Sequence, residues 1–345
     1  MATKSRPPGQ PSRSSNAPYH KYASSVIQQS ILSLLRRAFS AVYSDPETLA
    51  DTIQSVKAHL YARDYAAAFE SPDYLLAYAV RWSSTRALAY LHVLGDLCPH
   101  IPEILTSTSK KPNNKKNILC IGGGAGGEVL ALATLANDLG AKNVNILAID
   151  IAHWDDVFVS LRDAIRRGLG WDKKENDEND DIAKDSIQLQ FSQMDILDAP
   201  CYLEGNGTAV LASDGDALER AGSNVSYNDK VDFGSLDIIT IMFTTNELFA
   251  QSKPRTLTLF RYITENCKPG TLLLLLESAG SYSHIQIGSK TFPVQFLLDH
   301  IMVDDGAGWE KVVQDDCIWF RVQKGLKYPL ELENMRFFLR LYRRK

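Results

Sequence analysis

Seven consecutive residues, IGGGAGG at 121–127, constrain this chain more than any other segment. The apolar run NILCI leads into them and the helix-forming run EVLALA comes after. The pattern predicts a buried strand ending at Ile121, a turn over Gly122 to Gly127, and a helix beginning near Glu128. Glycines are needed where a side chain would keep the backbone away from a ligand, and the new helix N-terminus offers unpaired N–H groups. The turn is a ligand seat.

Around this turn the chain alternates between two periodicities. Strand-like NILCIG, VNILAID, IQLQFSQMD, SLDIITIMF and TLLLLLES are separated by helix-like GEVLALATLANDLG, DDVFVSLRDAIRRGLG and RTLTLFRYITENC. Near-continuous apolar strands alternating with helices predict an α/β fold with a mostly parallel sheet covered on both faces. At the C-terminus, CIWFRV and RFFLRLYRR predict an antiparallel pair that closes the sheet. Upstream, Val26, Ile27, Ile31, Leu34, Leu35, Ala38 and Val42 recur at helical spacing. Asp45-Pro46 and Ser71-Pro72 each place a capping side chain before a proline at the first helical position. Three to four helices are expected over about 19–110, a linker at 107–116 (STSKKPNNKK), and a second unit over 115–345. Two insertions interrupt that unit, an acidic run near 172–185 and a Gly-, Asn- and Ser-rich stretch near 203–232. Residues 1–18, rich in Pro, Ser and Gly and lacking bulky apolar residues, read as a disordered basic tail.

The residues at the carboxyl end of each strand narrow the ligand. Gly122, Gly124 and Gly127 fit G-x-G-x-x-G, the dinucleotide spacing; Gly122, Gly124 and Gly126 fit G-x-G-x-G, which suits S-adenosylmethionine. Asp150, at the end of the second strand, suits the two ribose hydroxyls of either ligand. Asp195, after the third, is placed to meet an adenine amino group. FTTNEL at 243–248 comes directly after the fourth strand, so Phe243, Thr244, Asn246 and Glu247 are expected to face the reactive end of the ligand. Asn246 either orients a substrate base or caps the next helix, and Glu247 is a proton acceptor. On the predicted helix over 72–98, Tyr78, Arg81, Trp82 and Arg86 mix cations with aromatics, which suits nucleotide stacking as well as ordinary packing. The chain contains no G-x-x-x-x-G-K-[ST] loop, no Tyr-x-x-x-Lys pair and no G-x-S-x-G elbow, which argues against phosphate-loop hydrolysis, short-chain reduction and serine hydrolysis.

Composition adds a charge argument. The 345 residues carry 37 basic and 41 acidic side chains, net −4, which alone would disfavour a nucleic-acid partner. The sum is uneven, because 172–232 holds fifteen acids and five bases, whereas 1–22 holds four bases and no acid and 318–345 eight bases and two acids. No apolar run approaches the roughly 20 residues of a membrane span, and the N-terminal residues lack the apolar stretch of a secretory signal, so an intracellular protein is expected. The five cysteines form no C-x-x-C pair, which predicts buried or semi-buried free thiols and no structural metal.

Taken together, the loop IGGGAGG, Asp150, Asp195, FTTNEL, the KPG turn at 268–270 and the C-terminal strand pair resemble the seven-stranded S-adenosylmethionine-dependent methyltransferases over about 115–345. The resemblance implies that cofactor and cofactor contacts at Gly122, Gly123, Gly124, Gly126, Asp150, Ile151, Met194, Asp195 and Phe243. It also implies an acid two residues before the first loop glycine, where this chain has Cys120. With the helical N-terminal segment, LCIGGGAGGE and FTTNEL resemble more narrowly the fungal large-subunit rRNA uridine-N(3) methyltransferases. That implies an rRNA or pre-ribosomal substrate and a nuclear or nucleolar location, with the cytoplasm second. A uridine ring nitrogen must lose its proton before it attacks, hence Glu247 as base, Asn246 as orienting residue, and Arg81, Trp82, Arg86 and Thr244 toward the substrate. A monomer without metal is expected. The competing readings are an NAD-dependent oxidoreductase and a methyltransferase fold serving as a non-catalytic RNA-binding or assembly module.

Overall fold

In the computed structural model, period-2 alternation divides each central strand between two cores. Strand β1 (Lys116–Ile121) sends Ile118 and Cys120 to one face of the sheet, and Leu119 and Ile121 to the other. The strand Leu272–Ser278, β5 below, does the same with Leu272, Leu274 and Leu276 against Leu273 and Leu275. A strand buried on both faces has no polar side to alternate, so it reads as a continuous apolar run. The structure describes residues 21–107, 115–171, 187–198, 231–280, 284–287, 290–304 and 308–345. The expected tail at 1–18, most of the linker and both insertions lie outside them.

Among the described residues, five α-helices precede β1: α1 (Ser25–Ala38), α2 (Pro46–Tyr61), α3 (Tyr65–Ala68), α4 (Pro72–His92) and α5 (His100–Thr106). Asp45 and Ser71 cap α2 and α4 by accepting from the N–H groups of Thr48 and Tyr74. The sequence pattern predicts three to four helices here; the four-residue α3 and seven-residue α5 are too short to carry a periodic signal. Val26, assigned to the apolar stripe of α1, is 77% exposed and does not belong to it.

The α/β unit continues through α6 (Gly127–Asp138), β2 (Val144–Asp150), α7 (Asp155–Gly168), β3 (Ile187–Gln193), β4 (Ile238–Met242), α8 (Thr245–Gln251), α9 (Lys253–Asn266) and β5. A small hairpin, β6 (His284–Ile287) and β7 (Lys290–Pro293), leads to α10 (Val294–Val303), none of which the sequence pattern announced. The chain ends with β8 (Trp309–Phe320) and β9 (Met335–Arg344), so the first strand of the C-terminal pair starts eight residues before CIWFRV. The main sheet runs β3-β2-β1-β4-β5-β9-β8, parallel from β3 to β5, with β9 antiparallel to both neighbours. Helices α1, α2, α4, α6 and α7 cover one face, and α8, α9 and α10 the other.

One polar group lies deep in the closing strands. The Arg340 side chain is fully buried on β9 and pairs with Asp299 of α10 at 3.1 Å and with Asp316 of β8 at 2.5 Å. Asp299 also accepts from the Tyr342 hydroxyl at 2.8 Å. Removing one partner of a buried pair strands a charge in low dielectric. Asp299→Ala should therefore lower unfolding free energy by about 3 kcal/mol in denaturant titration, the low end expected for breaking a buried pair.

Candidate active site

The glycine turn is held from both sides. Gly122 and Gly123 donate to the Ile149 carbonyl of β2, and Gly124 donates to Asp150 Oδ2 at 3.2 Å. Gly122 has φ +74, and a Cβ there would fall on the Thr244 side chain; a Cβ at Gly124 would fall on the Trp154 indole. Glycine is required at the first by backbone and space together, and at the second by space alone.

Two clefts, of about 460 and 400 Å³, open on this turn and share Gly122, Asp150, Thr244 and Glu247. The smaller is an apolar slot between Ile121, Ile149, Met194, Ile196 and Leu248, with Asp195 at its rim and Ile151, 54% exposed, at its mouth. Asp195 accepts from Leu197 N–H at 2.9 Å and from Gln251 Nε2 at 2.7 Å, which fixes its carboxylate at the slot. The larger cleft runs under α4, where Tyr78, Ser83, Arg86 and Tyr90 form the roof over Gly123, Gly126 and Glu128. Ser83 Oγ donates to the Ala125 carbonyl at 2.8 Å and ties this roof to the turn. Trp154 closes one end, packed against Phe69 and Tyr78 with ring centroids 5.7 Å away in each case.

Several carboxyls converge here. Burial, moderated by hydrogen bonds from Ala152 and Gly124, pushes Asp150 up to about 6. Burial with Asp150 nearby pushes Glu247 up to about 8, opposed by the Arg86 charge. Burial pushes Glu128 up to about 8, opposed by a hydrogen bond to Thr240 and by Arg86. Glu277, also raised by burial, accepts from the N–H groups of Ser278 and Asn246.

Phe243 departs from ordinary backbone geometry. It lies just after β4 with φ +62, a region that bulky residues rarely occupy and that costs about 1–3 kcal/mol. The turn directs its ring between the Arg86 guanidinium, 5.2 Å from the centroid, and the Tyr90 and Phe337 rings. Phe243 and Arg86 thereby separate the larger cleft from a third of about 480 Å³, bounded also by Arg81, Trp82, Ser278 and Met335.

The structure brings together most residues singled out by sequence. Gly122, Gly123, Gly126, Asp150, Ile151, Met194, Asp195, Phe243, Thr244 and Glu247 line one or both clefts at the turn, and Gly124 packs on Trp154 behind them. Arg81, Trp82 and Arg86 line the third. Asn246 borders none of the three: it sits in the first turn of α8, its N–H directed to Glu277, while Thr244 occupies the cap position. It therefore does not cap the helix. Arg81 is committed to the C-terminal segment through the Glu331 carbonyl and the Glu333 carboxylate. The basic C-terminus is also largely engaged, since Arg340 is buried, Arg343 pairs with Glu310, and Arg344 donates to the Gly308 carbonyl. Three described cysteines are buried, but Cys317 is exposed, against expectation; Cys201 lies outside the described residues. Sequence reasoning missed Tyr90, Glu128, Trp154 and Gln251; the nearness of Trp154 to Asp150 and of Glu128 to the last loop glycine was the available signal.

The clefts fit S-adenosylmethionine: an apolar slot for the adenine, a carboxylate at the junction for the ribose, a side-chain-free turn, and a polar chamber beyond it for the amino-acid end. The family described as "Putative SAM-dependent methyltransferase" matches residues 35–343, and the chain belongs to it. S-adenosylmethionine is its cofactor and the chain is a methyltransferase. It is similar to the 25S rRNA (uridine(2843)-N(3))-methyltransferase of Saccharomyces cerevisiae, with 36% identity over 364 aligned residues, covering 96% of this chain and 89% of the relative. Among solved structures, a SAM-dependent methyltransferase from Methanosarcina mazei aligns with TM-score 0.37 and 12% identity over 67% of this chain and 92% of that one. The N-methyltransferase NodS from Bradyrhizobium japonicum aligns with TM-score 0.31 and 11% identity over 66% and 85%. No helix among the described residues is long and apolar enough to cross a membrane, and no cluster of metal-ligating side chains occurs among them.

The raised carboxyls carry a pH signature. A carboxyl raised on folding stabilises the fold below its unfolded value near 4.5, and that contribution is lost as pH rises through the folded value near 8. The ligand-free protein should lose stability between about pH 5 and 8. Glu247→Gln should flatten the slope of unfolding free energy against pH, measured by urea titration at several pH values.

Proposed function

We propose that the chain transfers the methyl group of S-adenosylmethionine to N3 of a uridine in large-subunit rRNA. The observation that carries this reading is the 36% identity, along 96% of the chain, to a relative named for that reaction. The basic tail over 1–18, the helical region over 19–110 and the catalytic domain over 115–345 with its insertions near 172–185 and 203–232 form one working enzyme in this proposal. Its location is the nucleus or nucleolus, where pre-ribosomal particles carry the substrate.

The cofactor supplies an activated methyl group on a sulfonium, and the protein must hold donor and acceptor in line. Gly122, Gly123, Gly124 and Gly126 shape the cradle; Ile151, Met194 and Asp195 hold the adenine end; Asp150 takes the ribose hydroxyls. Phe243 and Thr244 line the cleft under α4 and would face the reactive end of the bound cofactor. The acceptor base enters the third cleft, where Trp82 offers a stacking face and Arg86 a cationic edge, while Arg81 lines the cleft already paired with Glu333. Arg86 stands on the partition, so its charge reaches both the acceptor oxygens and Glu247. A uridylate formed by loss of the N3 proton would be stabilised by that charge.

Glu247 takes the proton. Its raised proton affinity brings the carboxyl close to the acidity of the uridine imide, so transfer is nearly matched in energy. Asn246 borders none of the clefts, its N–H held by Glu277, so it has no contact with the acceptor base in this proposal. If the target uridine is paired, it must first be flipped out.

The direct test supplies the protein with labelled S-adenosylmethionine and rRNA from cells that lack it, then identifies the product nucleoside by mass spectrometry. N3-methyluridine is the expected product; methylation of another atom or of protein only would overturn the reading. Asp150→Ala should weaken S-adenosylhomocysteine binding by about 100-fold or more in calorimetry, through loss of two charge-assisted hydrogen bonds. Glu247→Gln should reduce turnover by about 100- to 10,000-fold while leaving cofactor affinity within a few-fold; a parallel loss of both would assign it a structural role.

A further inference from the structure

Glu128, the second residue of α6, is 3% exposed, and its Oε1 has no hydrogen-bond partner. A buried carboxyl with an unused oxygen is costly, and native structures that keep one generally reserve it for something. The groups that face it are Cys120 on β1, Thr240 on β4, Asp150 on β2, and Arg86 and Tyr90 on α4. Arg86 is also engaged with the Tyr78 hydroxyl and packs on the Tyr78 and Phe243 rings, so it does not pair with Glu128. Glu128 lines the larger cleft directly beyond the glycine turn.

The arrangement of the clefts determines what arrives there. The apolar slot accepts only the adenine, and Asp150 stands at the junction where the ribose must lie. The amino-acid end of the cofactor is then directed under α4, and its α-ammonium is the one strongly hydrogen-bonding cation that the cofactor carries. Cys120, two residues before the first loop glycine, is a buried thiol raised by burial and by Glu128, and it offers no negative charge.

We propose that Glu128 is the anionic contact for the α-ammonium of S-adenosylmethionine, reaching from the first turn of α6 into the space that Cys120 leaves without a charge. The proposal rests on the family's cofactor occupying these clefts, and it concerns binding, not proton transfer. Thr240 on β4 lies against the Glu128 carboxyl, and the free Oε1 faces the incoming ammonium. Neutral when the cleft holds no cation, Glu128 would release its proton to solvent as the ammonium arrives, which couples recognition of the amino group to charge formation at a buried carboxyl.

The test is a double cycle on the full chain by calorimetry, with S-adenosylhomocysteine and its analogue lacking the α-amino group, against wild type and Glu128→Gln. Glu128→Gln should weaken S-adenosylhomocysteine binding by about 10- to 100-fold, the range of a charge-assisted hydrogen bond, and leave the deaminated analogue within about twofold. Glu128→Asp, which keeps the charge on a shorter arm, should recover part of the loss. Equal weakening of both ligands, or none for either, would overturn the proposal. Should Glu128→Gln not fold, wild type alone decides: it must prefer S-adenosylhomocysteine over the analogue by at least about 10-fold, and equal affinity would overturn the assignment. Absence of S-adenosylhomocysteine binding to wild type would instead overturn the cofactor reading on which the proposal stands.

Discussion

The site depends on how α4 lies across α6. Ser83 and Ala87 are small, buried residues of α4 where it passes the start of α6, and Ala131 and Ala133 are small, buried residues of α6. Two helices with small side chains at their contact can approach more closely than bulky ones allow. The Gly127 Cα comes under the α4 backbone, where a Cβ would meet the Ser83 carbonyl and the Tyr90 ring at 3.5 Å. From this crossing, Tyr78, Arg86 and Tyr90 are lowered over the glycine turn, and the Ser83 to Ala125 hydrogen bond locks the two together. Without α4 the turn would be an open groove on a sheet edge. With it, carboxyls are desolvated, and their affinities for protons change.

Desolvation is also the link between fold and chemistry. Asp150, Glu247, Glu128 and Glu277 are each raised by burial, and Arg86 is the charge that opposes most of them. A group of carboxyls around one guanidinium cannot all ionise without help, so a ligand bringing positive charge finds a site already biased toward it. The strained Phe243 turn belongs to the same arrangement: with φ +62 it sets an aromatic ring, beside Arg86, at the boundary of the cleft under α4 and the third cleft. Strain of this kind persists where surrounding contacts over-determine it, here Arg86, Tyr90 and Phe337.

The N-terminal helices are therefore structural members of the active site, not an appendage to it. Their contribution was hard to see from sequence because α4 is buried on nearly all sides. A helix with apolar or small residues around its whole circumference shows no single stripe, so periodicity reveals that it is a helix and hides which face meets what. Arg86 and Trp82 stood out as cations and aromatics on such a helix, but Arg81, adjacent in sequence, is engaged by the C-terminal segment. Likewise the eight bases over 318–345 do not form one free patch, since Arg340 serves the strand closure.

What the sequence by itself determined is what short-range physics dictates. Apolar strands spaced by helices require a covered parallel sheet, glycines at a strand-to-helix turn require a close ligand, and acids at the carboxyl ends of strands β2 and β3 face the crevice by topology alone. The tertiary structure decided everything that depends on meetings between distant segments. It placed α4 over a turn some forty residues further along the chain. It sent Asn246 away from the clefts and brought Glu128 in, although both sit in the first turn of a helix at the sheet's carboxyl edge. The reason is that a helix turn advances about 100° per residue, so which of its side chains enters a cleft is set by the rotation of the packed helix, a quantity no local pattern encodes.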